Sequence, residues 1–293
     1  MTGLLRTWLY VPAHRVDRAW KALGSGADAV VLDLEDSVPA ERKDEARAAA
    51  ATFLDELPTD RPQVWVRVNS LRSPWGETDL EAVGRPGLDG VRLPRAEDPE
   101  EVRAVAGQLS CPVQLLVETA RGLLRAEELS RAHPSVAGIA LGEADLAADL
   151  RVTAAGLNWA RGWIVAVARA AGLPSPVQSV YTTVADLDGL RTTTSVGRAH
   201  GFFGRSVVHP RQIETIHEVY RPAGDELGRA QDVLAAYESA RERGEAASLT
   251  PDGRFVDPAV VAQAQLTLEL AAMYQPESPV LNPPRRTDDH TGV

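Results

Sequence analysis

The segments VQLLVETARG (residues 113–122) and VAGIALGEADLAADL (residues 136–150) decide the fold of this chain. Each opens with a short apolar run, and each run leads to an acidic residue, Glu118 in the first segment and Asp145 in the second. Apolar runs of this length, bounded by turn signals, are typical of fully buried strands in a parallel sheet. Because α/β proteins build their sites at the carboxyl ends of such strands, the two acids are candidate site residues.

Glu118 and Asp145 are predicted to bind one divalent cation together. Two carboxylates brought to neighbouring strand ends, with no lysine or histidine beside them in the sequence, repel each other unless a cation lies between them. The alternative is that each acid only caps the helix that follows it.

The rest of the chain repeats this alternation of strand and helix patterns. Besides the two runs above, strand patterns occur at residues 7–12, 27–36, 64–70, 87–97, 176–184 and 202–208, and most are followed by an amphipathic helical pattern. Eight such units in about 220 residues predict an α/β fold of the (β/α)₈ TIM-barrel type.

The pattern changes near residue 221, which predicts three regions. Residues 1–221 are expected to form the barrel and catalytic domain. Residues 222–274 contain two helical patterns joined by a polar loop and are expected to form a C-terminal helical extension or lid. Residues 275–293 are rich in proline and polar side chains, and are expected to be a disordered tail.

Composition limits the classes of partner. The formal net charge of the 293 residues is −10 and the pI is about 5.2, which argues against nucleic acid and anionic membranes as partners. The apolar run near the first residues is too short for a signal peptide or a membrane span. The single cysteine, Cys111, excludes an internal disulfide and fits a reducing compartment, so a cytoplasmic protein is expected.

Eight segments, in this order, carry a resemblance to a known family: YVPAHR, GADAVVLDLEDSV, VWVRVNS, LVETARGLL, GIALGEADLAADLR, YTTVADLDGL, GFFGRSVVHPRQI and DGRFVDPAVVAQAQ. From about Arg6 to about Tyr274 the chain resembles the citrate lyase β-subunit-like CoA-ester lyases of the HpcH/HpaI aldolase family. The resemblance implies the same (β/α)₈ barrel that the strand count predicts.

The resemblance also implies an activity, that of a Mg²⁺-dependent carbon–carbon lyase, with Mn²⁺ as an alternative ion. Such an enzyme reversibly cleaves a short 2-hydroxyacyl-CoA ester, such as malyl-, citramalyl- or citryl-CoA, into an acyl-CoA and a 2-oxo acid. Two alternatives are a malyl-CoA-type thioesterase on the same scaffold and a non-catalytic subunit like citrate lyase β. The family commonly forms trimers or multiples of them, so a homo-oligomer is expected.

Several residues match the family's metal and oxo-acid site. Glu118 and Asp145 match its metal ligands, and Arg67 matches the arginine that binds the oxo-acid carboxylate through its planar fork. Glu35 and Asp36 are expected to hold metal-bound waters and Arg67, whereas Asp33 should still lie inside the strand. Helix capping by Asp36 or Ser37 is the structural alternative.

The remaining candidates concern the substrate carboxylate and CoA. In GEAD, the amides of Gly142, Glu143 and Ala144 are expected to donate to the substrate carboxylate at a helix start. By resemblance, Arg15 and Lys21 are the candidates for binding CoA.

Asp257, in GRFVDPAVV, belongs to the predicted extension. It matches the aspartate that malyl-CoA and citramalyl-CoA lyases supply from a neighbouring subunit as acid/base for the acyl-CoA carbon. The alternative is a helix N-cap before Pro258.

Overall fold

The computed structural model of the protein describes residues 5–85, 87–245, 248–272 and 274. The chain divides after Tyr220 into two units, each with its own core.

The first unit contains a seven-stranded sheet in which all neighbouring strands are parallel. Its strand order is β6-β5-β4-β3-β2-β1-β7, so each of the first five strands pairs with the next in the chain, and β7 pairs with β1. Apolar residues dominate the strands because both faces of such a sheet are covered. The strands are β1 (Thr7–Pro12), β2 (Ala29–Asp33), β3 (Gln63–Arg67), β4 (Gly90–Leu93), β5 (Val113–Val117), β6 (Val136–Leu141) and β7 (Arg205–Val207).

Helices connect the strands and cover the outer face of the sheet. They are α1 (Val16–Leu23), α2 (Lys43–Asp55), α3 (Gly76–Val83), α4 (Pro99–Gln108), α5 (Ala120–Leu124), α6 (Ala126–Ser130), α7 (Glu143–Leu150), α8 (Asn158–Ala170), α9 (Leu187–Ala199) and α10 (Ile213–Tyr220). The predicted parallel α/β architecture is therefore confirmed.

One predicted strand differs from the expectation. Residues 176–184 pair with β7 through a single β-bridge at Gln178, flanked by hydrogen bonds of 3.0 Å to Gly204 and 2.9 Å from Ser206. On the other side, the Ser179 hydroxyl donates to the carbonyl of Leu141, the last residue of β6, at 2.6 Å. This side-chain hydrogen bond stands where a regular strand would form backbone hydrogen bonds with β6. The segment occupies the place of the missing barrel strand without the regular pairing of one.

Two cores lie on the two faces of the sheet. The larger one lies between the strands and the helices, and the smaller one packs inside the barrel around Trp8 and Trp65, whose ring centroids are 5.0 Å apart. Gly90 is required beside them, since a Cβ there would lie 2.2 Å from the Trp65 ring. This inner cluster closes the barrel below the strand ends.

The second unit is a helical extension, as predicted. It consists of α11 (Gly224–Glu242), a short antiparallel hairpin of β8 (Ser248–Leu249) and β9 (Phe255–Val256), and α12 (Pro258–Ala272). Its core is formed by Ala230, Val233, Val256, Val261 and Ala264. The predicted disordered tail, residues 275–293, lies outside the described residues. In the part of the chain that the structure describes, no helix has the length and apolar character needed to span a membrane.

Candidate active site

A cavity of about 470 Å³ opens at the carboxyl ends of the strands in the first unit. Several predicted site residues line it, among them Asp36, Arg67, Glu118 and Asp145, together with the segment from Gly142 to Ala144. The alternation of apolar strands and polar strand ends therefore brings these distant side chains to one place, as expected for a parallel barrel.

Glu118 directly follows β5 and is 4% exposed, whereas Asp145 lies in the first turn of α7 and is exposed. Burial, together with the negative charge of Asp145, raises the pKa of Glu118 to about 7. Neither acid is a helix cap: Thr119 caps α5, and α7 begins after Gly142 with no capping side chain. The capping alternative is therefore wrong for this pair.

The backbone around Glu118 is shaped to hold its side chain. A Cβ at Gly142 would lie 2.4 Å from the Glu118 Cγ and 2.6 Å from its Oε1, so only glycine leaves room for the carboxylate. Arg95 adopts a left-handed conformation with φ of 51°, and its amide donates to the Glu118 Oε2 at 3.0 Å. A strained non-glycine residue of this kind is common at functional sites.

Arg67 ends β3 and is held mainly by Asp33. Its Nε and Nη2 donate to the two carboxylate oxygens of Asp33 at 2.7 and 2.8 Å. Asp33 is the last residue of β2, as predicted, is 1% exposed, and also accepts the amides of Glu35 and Ser37. Burial opposes ionisation of Asp33, but Arg67 and these hydrogen bonds lower its pKa. Glu35 and Asp36 were expected to hold Arg67, but Asp33 is its main partner.

Glu35 and Asp36 contact Arg67 differently. Asp36 accepts from Nη1 at 3.1 Å, but its side chain is 70% exposed. The Oε2 of Glu35 lies 2.9 Å from Nη1, without hydrogen-bond geometry, and is buried. Burial raises the pKa of Glu35 to about 8, and the nearby carboxylates add to this shift, whereas the positive charge of Arg67 opposes it. Neither Asp36 nor Ser37 caps a helix, since Pro39 and Arg42 are the N-cap residues of the helical turns that follow.

The residues at the strand ends fit a hard divalent cation. Glu118 and Asp145 are close enough to raise the pKa of Glu118, and a cation between them would relieve this repulsion. Among the described residues, no group of three or more His, Cys, Asp or Glu side chains is arranged to hold a metal. Mg²⁺ suits such a site because it keeps several water or substrate ligands when only two carboxylates bind it.

The GEAD segment lines the cavity, but two of its amides already have partners. The Gly142 amide donates to the carbonyl of Val117 at 3.0 Å, and the Glu143 amide donates to the Ser179 hydroxyl at 3.2 Å. The Glu143 carboxylate pairs with Arg161. The expected use of these amides by a substrate carboxylate stays a prediction, which the geometry restricts to Ala144.

Of the basic residues that follow β1, the one on the cavity wall is Arg18. Arg15, expected to bind CoA, forms an ion pair with Asp17 at 2.9 Å outside the wall, and Lys21 is exposed on α1. Roles for Arg15 and Lys21 in CoA binding stay predictions.

Lys43 is a buried residue that sequence reasoning missed. Its Nζ donates to the carbonyls of Leu34 and Glu35 and to Asn69 Oδ1, each at 2.7 Å. Asn69 in turn donates to Asp79, which is fully buried. This network fixes the loop that carries Glu35, and no sequence pattern indicated it, because its partners come from three separate segments of the chain.

Arg92, in the middle of β4, is a second missed residue. It lines the cavity although its side chain is 2% exposed, and its Nη1 donates to the Tyr10 hydroxyl at 2.5 Å. The sequence signal for this residue was a charged side chain between two apolar ones, Val91 and Leu93, in a strand predicted to be buried.

Asp257 lies in the second unit, directly before α12. Its Oδ1 accepts the amide of Val260 at 3.0 Å and its carbonyl accepts the amide of Val261 at 3.0 Å. This is N-cap geometry, so the structural alternative is present. The acid/base role stays a prediction, and the other carboxylate oxygen is the one it would use.

The sequence of this chain is similar to known proteins over nearly its whole length. The model of the HpcH/HpaI aldolase/citrate lyase family matches residues 6–210. The chain is 34% identical over 271 residues to the (3S)-malyl-CoA thioesterase of Cereibacter sphaeroides, covering 91% of this chain and 94% of that one. It is 32% identical over 284 residues to the citrate lyase subunit beta of Leuconostoc mesenteroides, covering 92% and 93%.

A solved structure matches the fold as well. The protein CitE of Mycobacterium tuberculosis, in complex with magnesium, acetoacetate and coenzyme A, superposes with a TM-score of 0.81 and 32% sequence identity. The match covers 93% of this chain and 100% of that one. The fold is therefore a TIM-barrel-like α/β fold with a helical extension. By its sequence and its fold, the chain belongs to the HpcH/HpaI aldolase/citrate lyase family.

Proposed function

We propose that the protein is a Mg²⁺-dependent carbon–carbon lyase that reversibly cleaves a short hydroxyacyl-CoA ester into an acyl-CoA and a 2-oxo acid. The observation that carries this proposal is the cavity in which the carboxylates of Glu118 and Asp145 face the same space as the guanidinium of Arg67. Family membership and the magnesium and CoA in the CitE structure support it.

Glu118 and Asp145 are the residues that would hold Mg²⁺. When bound, the ion supplies Lewis-acid stabilisation of the oxygen that changes between hydroxyl and carbonyl. The backbone supports this role, because the left-handed Arg95 and the glycine at 142 fix the Glu118 side chain before any ligand arrives.

Arg67 orients the oxo-acid portion of the substrate. Its position is preset by the two hydrogen bonds to Asp33, so little side-chain entropy is lost when a substrate carboxylate binds to the remaining N–H groups. Glu35 and Asp36 also lie within ion-pair distance of the guanidinium, and they would accept hydrogen bonds from waters that a bound ion carries.

The cleavage balances with one proton lost and one gained. The substrate hydroxyl gives its proton to solvent water and becomes the carbonyl of the oxo acid. The carbon–carbon bond breaks, and the electron pair of that bond passes to the α-carbon of the acyl-CoA, which then takes up a proton. We assign that proton transfer to Asp257, supplied by another copy of the chain. This assignment requires a homo-oligomer, and a trimer or a multiple of it stays the prediction. A cytoplasmic location also stays a prediction.

Hydrolysis of the thioester is the second candidate function. It is favoured by the relatives at 34% identity that are named (3S)-malyl-CoA thioesterase. The same acids would then act on a different bond, with water as the second substrate and free CoA as a product.

Product analysis tests both candidates. The protein is incubated with Mg²⁺ and malyl-, citramalyl- or citryl-CoA, with Glu118→Gln as the control, and acyl-CoA, free CoA and acids are quantified by mass spectrometry. Equal amounts of a shorter acyl-CoA and an oxo acid support the lyase. Free CoA with intact hydroxy acid supports the thioesterase instead, and no turnover of any ester contradicts both.

A further inference from the structure

Arg92 is a buried cation on the cavity wall that the proposed mechanism does not use. Its guanidinium carbon lies 5.1 Å from the centre of the Trp8 ring and 5.3 Å from that of Tyr10. Its Nη1 donates to the hydroxyls of Tyr10 and Ser206. Its Nε is buried without a hydrogen-bond partner. Two aromatic faces and two neutral hydroxyls thus surround the charge.

No carboxylate within the described residues neutralises this charge at close range: none lies within 4.0 Å of the Arg92 nitrogens. Arg67 is the opposite case, since Asp33, Glu35 and Asp36 all lie within ion-pair distance of it. Burying an ion without a counterion is energetically unfavourable, so such a group is expected where a ligand supplies the counterion.

Arg92 also lies deeper in the cavity than the other charged groups. Arg67 ends its strand and Glu118 follows its strand, whereas the Arg92 guanidinium contacts Trp8, the second residue of β1 and part of the cluster that closes the barrel. The cavity wall includes Arg92, Ser206 and Tyr10. An anion on Arg92 would therefore lie at the floor, below the Glu118 and Asp145 pair.

We propose that Arg92 forms an anion subsite at the floor of the cavity and binds a second carboxylate of the substrate. This inference rests on the proposed function and names its substrate class: 2-oxo acids that carry a further carboxylate, and the CoA esters made from them. The planar Arg92 guanidinium keeps one donor, Nε, without an acceptor among the described residues, and a carboxylate is the acceptor that a guanidinium prefers.

Pyruvate and oxaloacetate test this directly, because they differ by one carboxylate. Their affinities for the full-length protein with Mg²⁺ are measured by isothermal titration calorimetry for the wild type, Arg92→Met and Arg92→Lys. Arg103→Met, on the exposed arginine of α4 that pairs with Glu100, is the matched control. Circular dichroism and thermal unfolding verify that each variant is folded, and methionine suits the apolar surroundings of the site.

We expect the wild type to bind oxaloacetate more tightly than pyruvate. Arg92→Met should weaken oxaloacetate about 10- to 100-fold and pyruvate less than about threefold. Arg92→Lys should fall between, because it keeps the charge and loses the fork. Equal weakening of both acids, weakening of neither, or a wild type that prefers pyruvate would overturn the proposal.

The two proposals fail separately. If no CoA ester is cleaved but the loss of affinity in Arg92→Met is specific for oxaloacetate, the lyase proposal fails and the subsite stands. If esters are cleaved and Arg92→Met shows no such selectivity, the subsite fails and the lyase stands.

Discussion

The Asp33 carboxylate accepts two hydrogen bonds from Arg67, at 2.7 Å from Nε and 2.8 Å from Nη2, and both side chains are largely buried. The two residues are also paired in register between β2 and β3. Sheet pairing therefore determines which acid holds the arginine that faces the candidate metal site.

Replacing one partner of this pair should be costly. Asp33→Asn should lower the free energy of unfolding by about 3 kcal/mol, because it leaves a buried guanidinium without its main counterion. Asp36→Asn should lower it by less than about 1 kcal/mol, since the Asp36 side chain is 70% exposed. Urea denaturation of both variants measures the difference, and equal losses would show that Asp33 is not the principal partner.

Glu118→Gln and Asp145→Asn should each abolish Mg²⁺ binding and lower turnover by at least about 100-fold while the fold is kept. A neutral amide preserves the shape of each side chain but removes one of the two anionic ligands. Calorimetric titration with Mg²⁺ measures the binding and circular dichroism the fold. Unchanged Mg²⁺ affinity in either variant would remove that residue from the metal site.

Mg²⁺ affinity should depend on pH. Because the pKa of Glu118 is raised from 4.5 to about 7, the metal-free folded state holds a proton that the unfolded state has released. Stability without metal therefore falls as pH rises from about 4.5 to about 7, and Mg²⁺ should restore it. Below pH 7 the Mg²⁺ affinity should fall by up to about tenfold per pH unit.

Thermal unfolding with Mg²⁺ and with a chelator, at several pH values between about 5 and 8, measures this linkage. Glu118→Gln is the control: Mg²⁺ should not stabilise it, and its stability without metal should lose the fall between about pH 4.5 and 7 that the Glu118 carboxyl causes. An Mg²⁺ affinity that stays constant over this range, or increases as pH falls, would contradict the assignment.

Lys43 should act on the site through the loop that it holds. Lys43→Met removes the three hydrogen bonds to Leu34, Glu35 and Asn69, so we expect kcat to fall about tenfold or more with a smaller change in KM. Lys43→Arg should restore part of the rate if the charge and donors matter. Steady-state kinetics of both variants, with thermal unfolding to separate stability from rate, measure the effect. A loss of stability with unaltered kcat would show that Lys43 serves the fold only.

The two roles of Asp257 can be separated by matched variants. Asp257→Asn and Asp257→Ser keep a side chain that caps α12 but lose the acid, whereas Asp257→Ala loses both. An acid/base role predicts that all three lower kcat and leave oxo-acid binding unchanged. Only Asp257→Ala should destabilise the protein, by about 1 kcal/mol. If Asp257→Asn turned over at the wild-type rate, the residue would be a cap and nothing more.

Much of the fold could be predicted from the sequence, because a strand buried on both faces must be apolar along its whole length. Glu118 does follow β5 and Arg67 does end β3. The segment around Gln178 was predicted as a strand because it is rich in β-branched residues, but the number of backbone hydrogen bonds that it makes depends on its neighbours in space.

The partners of the site residues could not be predicted in the same way. That Asp33, rather than Asp36, holds Arg67 depends on the register between two strands. The Glu143 amide is occupied by Ser179, which lies 36 residues away in the sequence. The role of Arg92 was not predicted, because the pattern of a buried strand does not tell which polar groups of other strands lie near its side chains. Here they are the hydroxyls of Tyr10 and Ser206.

The proposed function depends on Glu118 and Asp145 together binding one Mg²⁺ ion whose open positions accept a 2-oxo acid. A crystal structure of the protein soaked with Mg²⁺ and pyruvate tests it most directly. We expect one ion within about 2.0–2.1 Å of an oxygen from each carboxylate, with pyruvate completing its coordination shell. An ion bound elsewhere, or the two carboxylates turned away from each other with no ion between them, would contradict it.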